Sequence, residues 1–133
     1  MDLENNISST PISAPSPSVD LTGKWKNQLN SEMTLIMDGN GKLTGKYATA
    51  VGRPSGSEEF ELMGVVTGDL VSFIVNFGKY GSLTAWAGQV IEDNGKETIR
   101  TLWHLSENVK ESEESNKVWG SIRAGYGLFT RTV

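Results

Sequence analysis

From Leu21 to the C-terminus the chain alternates short segments rich in β-branched and aromatic residues with turn signals, and this punctuation limits the fold more than any other feature. Asp38-Gly39-Asn40-Gly41, Thr67-Gly68-Asp69 and Asp93-Asn94-Gly95 are hairpin turns of the kind that need positive φ. Strands joined by such turns pair antiparallel. Eight segments follow: 21–29, 33–38, 42–51, 60–66, 70–77, 82–91, 97–105 and 119–132. An open sandwich of eight strands would leave two exposed edges. Closing the sheet removes both and encloses room for one small ligand, so the expected fold is all-β, an eight-stranded antiparallel up-and-down barrel.

The period of two along each strand separates an inner from an outer face. Leu21, Gly23, Trp25, Asn27 and Leu29 share a face of the first strand, and Leu43, Gly45, Tyr47, Thr49 and Val51 a face of the third. Lys24, Lys26, Lys42 and Lys46 stand opposite, where solvent is expected. The inner face of the fifth strand is Val71, Phe73, Val75 and Phe77. The sixth gives Ser82, Thr84, Trp86, Gly88 and Val90, and the seventh Ile99, Thr101, Trp103 and Leu105. One half of the interior therefore mixes aromatic rings with hydroxyls. A core serving stability alone would be aliphatic, because a buried unpaired hydroxyl or amide costs about 1 to 3 kcal/mol. A polar ligand is the simplest partner for these groups, with water or neighbouring side chains as the alternative. The outer face of the sixth strand (Leu83, Ala85, Ala87), with Leu70 and Ile74 of the fifth, is too apolar for a monomer's surface and predicts oligomerisation.

Composition narrows the function. The 133 residues fit one domain, and 12 Lys plus Arg against 16 Asp plus Glu leave a net charge of −4, with no footprint for nucleic acid or anionic membrane. There is no Cys and a single His, His104, so thiol chemistry and multi-histidine metal sites are excluded and only scattered carboxylates remain for an enzyme. No apolar run is long enough to span a bilayer as a helix, and the N-terminus lacks the regions of a signal peptide. Residues 1–20 are rich in Ser, Pro, Asn and Asp and read as a disordered leader ahead of a barrel domain at 21–133. Asn6-Ile7-Ser8 fits a glycosylation acceptor. The acidic stretch 106–118 reads as a solvated loop.

Five motifs in order carry a resemblance. Leu21-Thr22-Gly23-Lys24-Trp25-Lys26-Asn27-Gln28-Leu29 is similar to the opening strand of the avidin and streptavidin family. Leu43 to Gly52 resembles its third strand, Ser82 to Gln89 its sixth, Thr101 to Leu105 its seventh and Leu128 to Arg131 its eighth. Gly23-x-Trp25 with Arg131 also looks like the barrel-closing pair shared with lipocalins. The resemblance implies non-catalytic binding of biotin as ligand, with no cofactor. Asn27, Ser31 and Tyr47 match the donors to the ureido oxygen, and Thr49 matches the hydroxyl that accepts one ureido N–H. Thr84 matches the partner of the thioether sulfur, and Ser82 and the backbone near Arg53, in the lid 52–59, match the groups that meet the carboxylate. Trp86, Trp103 and Phe77 match aromatic walls, although Phe77 stands where the family usually has tryptophan. Trp119 matches the tryptophan that reaches into a neighbouring subunit's pocket.

One position departs more seriously. Gly127 falls where the family has Asp or Asn to accept the second ureido N–H, and Tyr126 beside it faces outward by alternation. Weaker binding than is typical of the family follows, by about tenfold to a hundredfold if one bond of 1 to 3 kcal/mol is lost. The short connection 66–69 resembles dimeric members, whereas Trp119 and the lack of Cys resemble tetrameric ones, and the balance falls on a homotetramer. A secreted protein that sequesters biotin comes with the resemblance. The competing readings are a lipocalin-like carrier of another small ligand, and an interaction or inhibitor barrel acting through loops 53–59 and 107–117.

Overall fold

A computed structural model describes residues 3, 7, 16–49, 58–108 and 122–132, and of Ile122 the backbone alone. Eight strands run in chain order: β1 (Gly23–Asn27), β2 (Glu32–Met37), β3 (Lys42–Ala48), β4 (Glu59–Thr67), β5 (Leu70–Phe77), β6 (Ser82–Asp93), β7 (Lys96–Glu107) and β8 (Ile122–Arg131). Each pairs antiparallel with the next. β1 pairs with β8 through Trp25–Arg131, Lys26–Thr130 and Asn27–Phe129, which closes the barrel and leaves no free sheet edge. The expected all-β, up-and-down barrel is what the chain forms.

Local chemistry explains the turns. Asn94 (φ 52°) and Gly95 (φ 80°) make a two-residue connection whose twist matches the strands it joins, so β6 and β7 stay paired out to Asp93–Lys96 and run longer than expected. Residues 106 and 107, assigned to the acidic loop on charge, are thereby the last residues of β7. Asp38 caps its own turn: its Oδ1 accepts from Asn40 N (2.9 Å) and Lys42 N (2.8 Å). The first strand, by contrast, stops short of its expected end at Leu29. Asn27 Oδ1 captures the backbone N–H groups of Leu29 and Ser31, both at 2.9 Å, and Asn30 adopts φ 66°. Leu29 therefore leaves the inner face and is 58% exposed.

The interior has two zones. Leu21, Trp25, Leu35, Leu43, Val71, Phe73, Ile99 and Phe129 are almost wholly buried and fill one end with aliphatic and aromatic bulk. Burying each such side chain is worth about 1.5 to 3 kcal/mol. Arg131 lies over the Trp25 ring at 4.5 Å and donates to the carbonyls of Thr22 (2.7 Å) and Asp20 (2.8 Å), while Trp25 Nε1 donates to Leu21 O (2.9 Å). That end is thus sealed by the expected Gly23-x-Trp25/Arg131 set. The stretch 16–20, grouped with the leader by its composition, also makes contacts here. Ser18 N donates to Gly68 O (2.9 Å) and Val19 packs against the core.

An up-and-down barrel puts alternate connections at the same end. Two-to-four-residue turns (38–41, 68–69, 94–95) close the filled end, and 28–31 and 78–81 join strands at the other. Space for a ligand is left at that other end.

Candidate functional site

A cavity of about 220 Å³ opens inside that second end. A single water needs only about 10 to 15 Å³, so the space is more than ten times what one water requires. Asn27, Ser31, Tyr47, Thr49, Phe77, Thr84, Trp86 and Trp103 all line it, together with Gln28, Leu29, Leu105, Tyr126 and Gly127. The strands place them by alternation: Thr84 and Trp86 follow each other on the inner face of β6, opposite Leu105 and Trp103 of β7.

The polar floor is built around Asn27. Because Oδ1 is held by two backbone N–H groups, the amide nitrogen is the end that faces the cavity, where it donates to Tyr47 Oη at 3.4 Å. The Ser31 hydroxyl also hydrogen-bonds Tyr47. Burial raises the Tyr47 pKa above its usual 10, and the bonds from Ser31 and Asn27 only partly offset this, so the phenol stays protonated through the neutral range. Asn27, Ser31 and Tyr47 converge as a cluster able to donate to one ligand oxygen.

The aromatic walls are held by one another. Trp86 stacks on Phe73 (5.0 Å, 17°) and lies 5.2 Å from Tyr47, which separates the cavity from the apolar core beneath it. Phe77 meets Tyr47 edge-on at 6.0 Å and Phe60 at 4.7 Å. Trp103 crosses β8 over Gly125 and donates from Nε1 to Tyr126 O at 3.0 Å. A Cβ at position 125 would stand 2.4 Å from Trp103 Cζ2, so glycine is what allows the ring to lie there.

Two features escaped the sequence reading. The Gln28 side chain bridges β1 and β8 beyond their last backbone pair: Nε2 donates to Tyr126 O (3.0 Å), and Oε1 accepts from Leu128 N (3.0 Å). Its carboxamide continues the ladder where the backbone turns away, a role that side-chain alternation cannot signal. Tyr126 points outward as expected and is 61% exposed, yet it belongs to the cavity wall, and its carbonyl takes bonds from both Gln28 and Trp103.

Of the expected site residues, Ser82 stands apart. It begins β6 opposite Phe77 and lines a shallow neighbouring pocket with Asn76, Leu83 and Ser106 rather than the cavity. Arg53, Trp119 and the acidic 109–118 lie outside the described residues, as does most of the lid expected at 52–59. Glu58, at the lid's end, accepts from Tyr80 Oη (2.5 Å) and pairs with Lys79 (2.8 Å), which raises the Lys79 pKa. Among the described residues no group of three or more His, Cys, Asp or Glu is gathered that would hold a metal ion.

One polar atom stands out. Thr84 Oγ1 is buried and has no hydrogen-bond partner, alone in this among the buried side-chain nitrogens and oxygens of the described residues. It lies in the cavity wall, so a bound molecule is the natural source of its partner.

Residues 16–132 match the model of the Avidin family. Avidin of Gallus gallus is 37% identical over 120 residues, covering 84% of this chain and 77% of that protein. The X-ray structure of a biotin binding protein from chicken superposes with a TM-score of 0.73 at 31% identity, covering 85% of this chain and 96% of that one. A rhizavidin–biotin complex does so with a TM-score of 0.68 at 25% identity, covering 84% and 92%.

Proposed function

The chain belongs to the avidin family, and on that premise we propose that it binds biotin in the barrel cavity, without catalysis, and so sequesters it. The observation that carries this reading is the pairing of a donor cluster with an unsatisfied hydroxyl in one cavity. Asn27, Ser31 and Tyr47 suit a polarisable ureido oxygen, and the partnerless Thr84 Oγ1 suits a weak acceptor such as a thioether. Thr49 is the acceptor for one ureido N–H, and Trp86, Trp103 and Phe77 supply apolar wall. Arg53 serves the carboxylate, as does Ser82 where the ligand's tail extends beyond the cavity, and Trp119 the pocket of a neighbouring subunit.

Binding is weaker than that of relatives with a full set of polar partners, because Gly127 brings no side-chain acceptor to its buried place on β8. The protein works outside the cell as a homotetramer. The outer faces support association: Met63, Val65, Leu70, Ile74, Leu83 and Leu102 are all exposed on neighbouring strands, and Ile74 pairs with Ala85. Sedimentation equilibrium at micromolar concentration tests the assembly, and a monomer there removes it. Retention on immobilised biotin with elution by free biotin tests the function. Passage through the column without retention rejects biotin as the ligand.

A further inference from the structure

Trp86 is packed on both faces by Phe73 and Tyr47, and its indole N–H donates to no described group; the nitrogen is not among the buried atoms without a partner, so it opens on the cavity. The nitrogen lies 3.5 Å from the point where a Cβ of residue 127 would stand, and Gly127 puts nothing there. Both residues line the cavity. The other polar atom at that point is Thr101 Oγ1, 3.0 Å away, whose proton is already given to Gly127 O (2.9 Å). Thr101 is 2% exposed and does not line the cavity. No carboxylate lines the cavity among the described residues. The β8 side of the pocket therefore offers a donor that water can reach while the cavity is empty and that finds no protein acceptor once a ligand fills it, and a ligand N–H placed there meets another N–H.

We propose that Trp86 Nε1–H and Gly127 form a subsite for a hydrogen-bond acceptor, so that the pocket favours ring ligands of the biotin class whose edge facing β8 carries an oxygen or carbonyl in place of N–H. The proposal rests on the biotin reading and adds its direction of specificity. A donor that a bound ligand cuts off from water without pairing is penalised more than a bond is rewarded, so the discrimination follows from which ligand satisfies Trp86. Trp86 and Gly127 are the specificity-determining residues, one through its proton and the other through its lack of a side chain.

The test is calorimetric titration of the full chain with biotin and with the two cyclic carbamate analogues in which one or the other ureido N–H is replaced by oxygen. The expected result is that one isomer binds at least as tightly as biotin and the other at least tenfold more weakly. Trp86→Phe keeps an aromatic wall and removes the proton, and should cut the preferred isomer's advantage by fivefold or more. Gly127→Asp supplies an acceptor and should make biotin the better ligand by at least tenfold. Should the aspartate fail to fold because Thr101 cannot give way, Trp86→Phe alone carries the comparison. Both carbamates binding at least tenfold more weakly than biotin, with Thr101→Val weakening biotin, would place a ligand N–H on Thr101 and overturn the proposal. So would a preference that neither substitution moves. If none of the three ligands binds, the biotin reading itself falls.

Discussion

Thr84→Val should make the empty protein more stable and the complex weaker, two effects with one cause. The hydroxyl is buried with no partner, and such a group costs about 1 to 3 kcal/mol relative to a methyl of the same shape. Thr84 is 3% exposed and stands between Val75 of β5 and Leu105 of β7 on the barrel wall, where a valine of equal volume fits without a cavity or overpacking. The ligand-free variant should gain about 1 to 2 kcal/mol, read as a higher urea midpoint at unchanged m. In the complex the hydroxyl meets only a weak acceptor, so its replacement there is close to neutral. The stability gained by the empty protein then reappears as lost affinity, about five- to thirtyfold in Kd at 1.4 kcal/mol per tenfold. Urea unfolding of the empty protein and calorimetry with biotin measure the two sides separately. A variant with unchanged or lower stability and unchanged affinity would refute the assignment of Thr84 as the group that waits for the ligand.

Three further outcomes follow from the geometry. Gln28→Ala removes both side-chain bonds that continue the β1–β8 seam and should cost about 1 to 2 kcal/mol in urea unfolding; Gln28→Glu, which keeps only the acceptor for Leu128 N, should fall between it and the parent. Because the folded pKa of Tyr47 is raised above 10, the unfolded chain releases its proton first, so the contribution of Tyr47 to stability should be level below pH 10 and decline as pH rises from there through the raised value. Tyr47→Phe should remove that part of the decline in alkaline unfolding curves, and an identical slope in both proteins would count against it. Gly125→Ala puts a methyl against Trp103 Cζ2 and should displace the ring, weakening biotin at least tenfold and shifting the tryptophan emission, whereas a small change in both would mean that Trp103 can lie elsewhere.

The barrel was legible because its turns are written in residues with few other uses. Asn94-Gly95 and the Asp38 turn fix the hairpins, and the alternation of Val71, Phe73, Val75 and Phe77 fixes the face. Where side chains bond to backbone, the pattern misleads. Leu29 continues the period of the first strand in sequence, yet Asn27 bends the chain before reaching it. The same bend frees Gln28 to act as a piece of backbone. Within the site, inward residues on regular strands, such as Tyr47, Thr84 and Trp86, were readable from alternation. The carbonyl of Tyr126 was not, because alternation describes side chains and is silent on the main chain. The spare proton of Trp86 was equally hidden, since it depends on what Gly127 on another strand fails to supply.

The central claim is that the cavity between Asn27, Tyr47, Thr84 and Trp86 holds biotin. Titrating biotin into the full chain in a calorimeter tests it most directly, with Tyr47→Phe titrated alongside. Saturation is expected at one biotin per chain, with binding weakened by about 0.5 to 1.5 kcal/mol in the variant, which removes one donor from the floor. No heat of binding, or a stoichiometric complex whose affinity is the same in Tyr47→Phe, would contradict it.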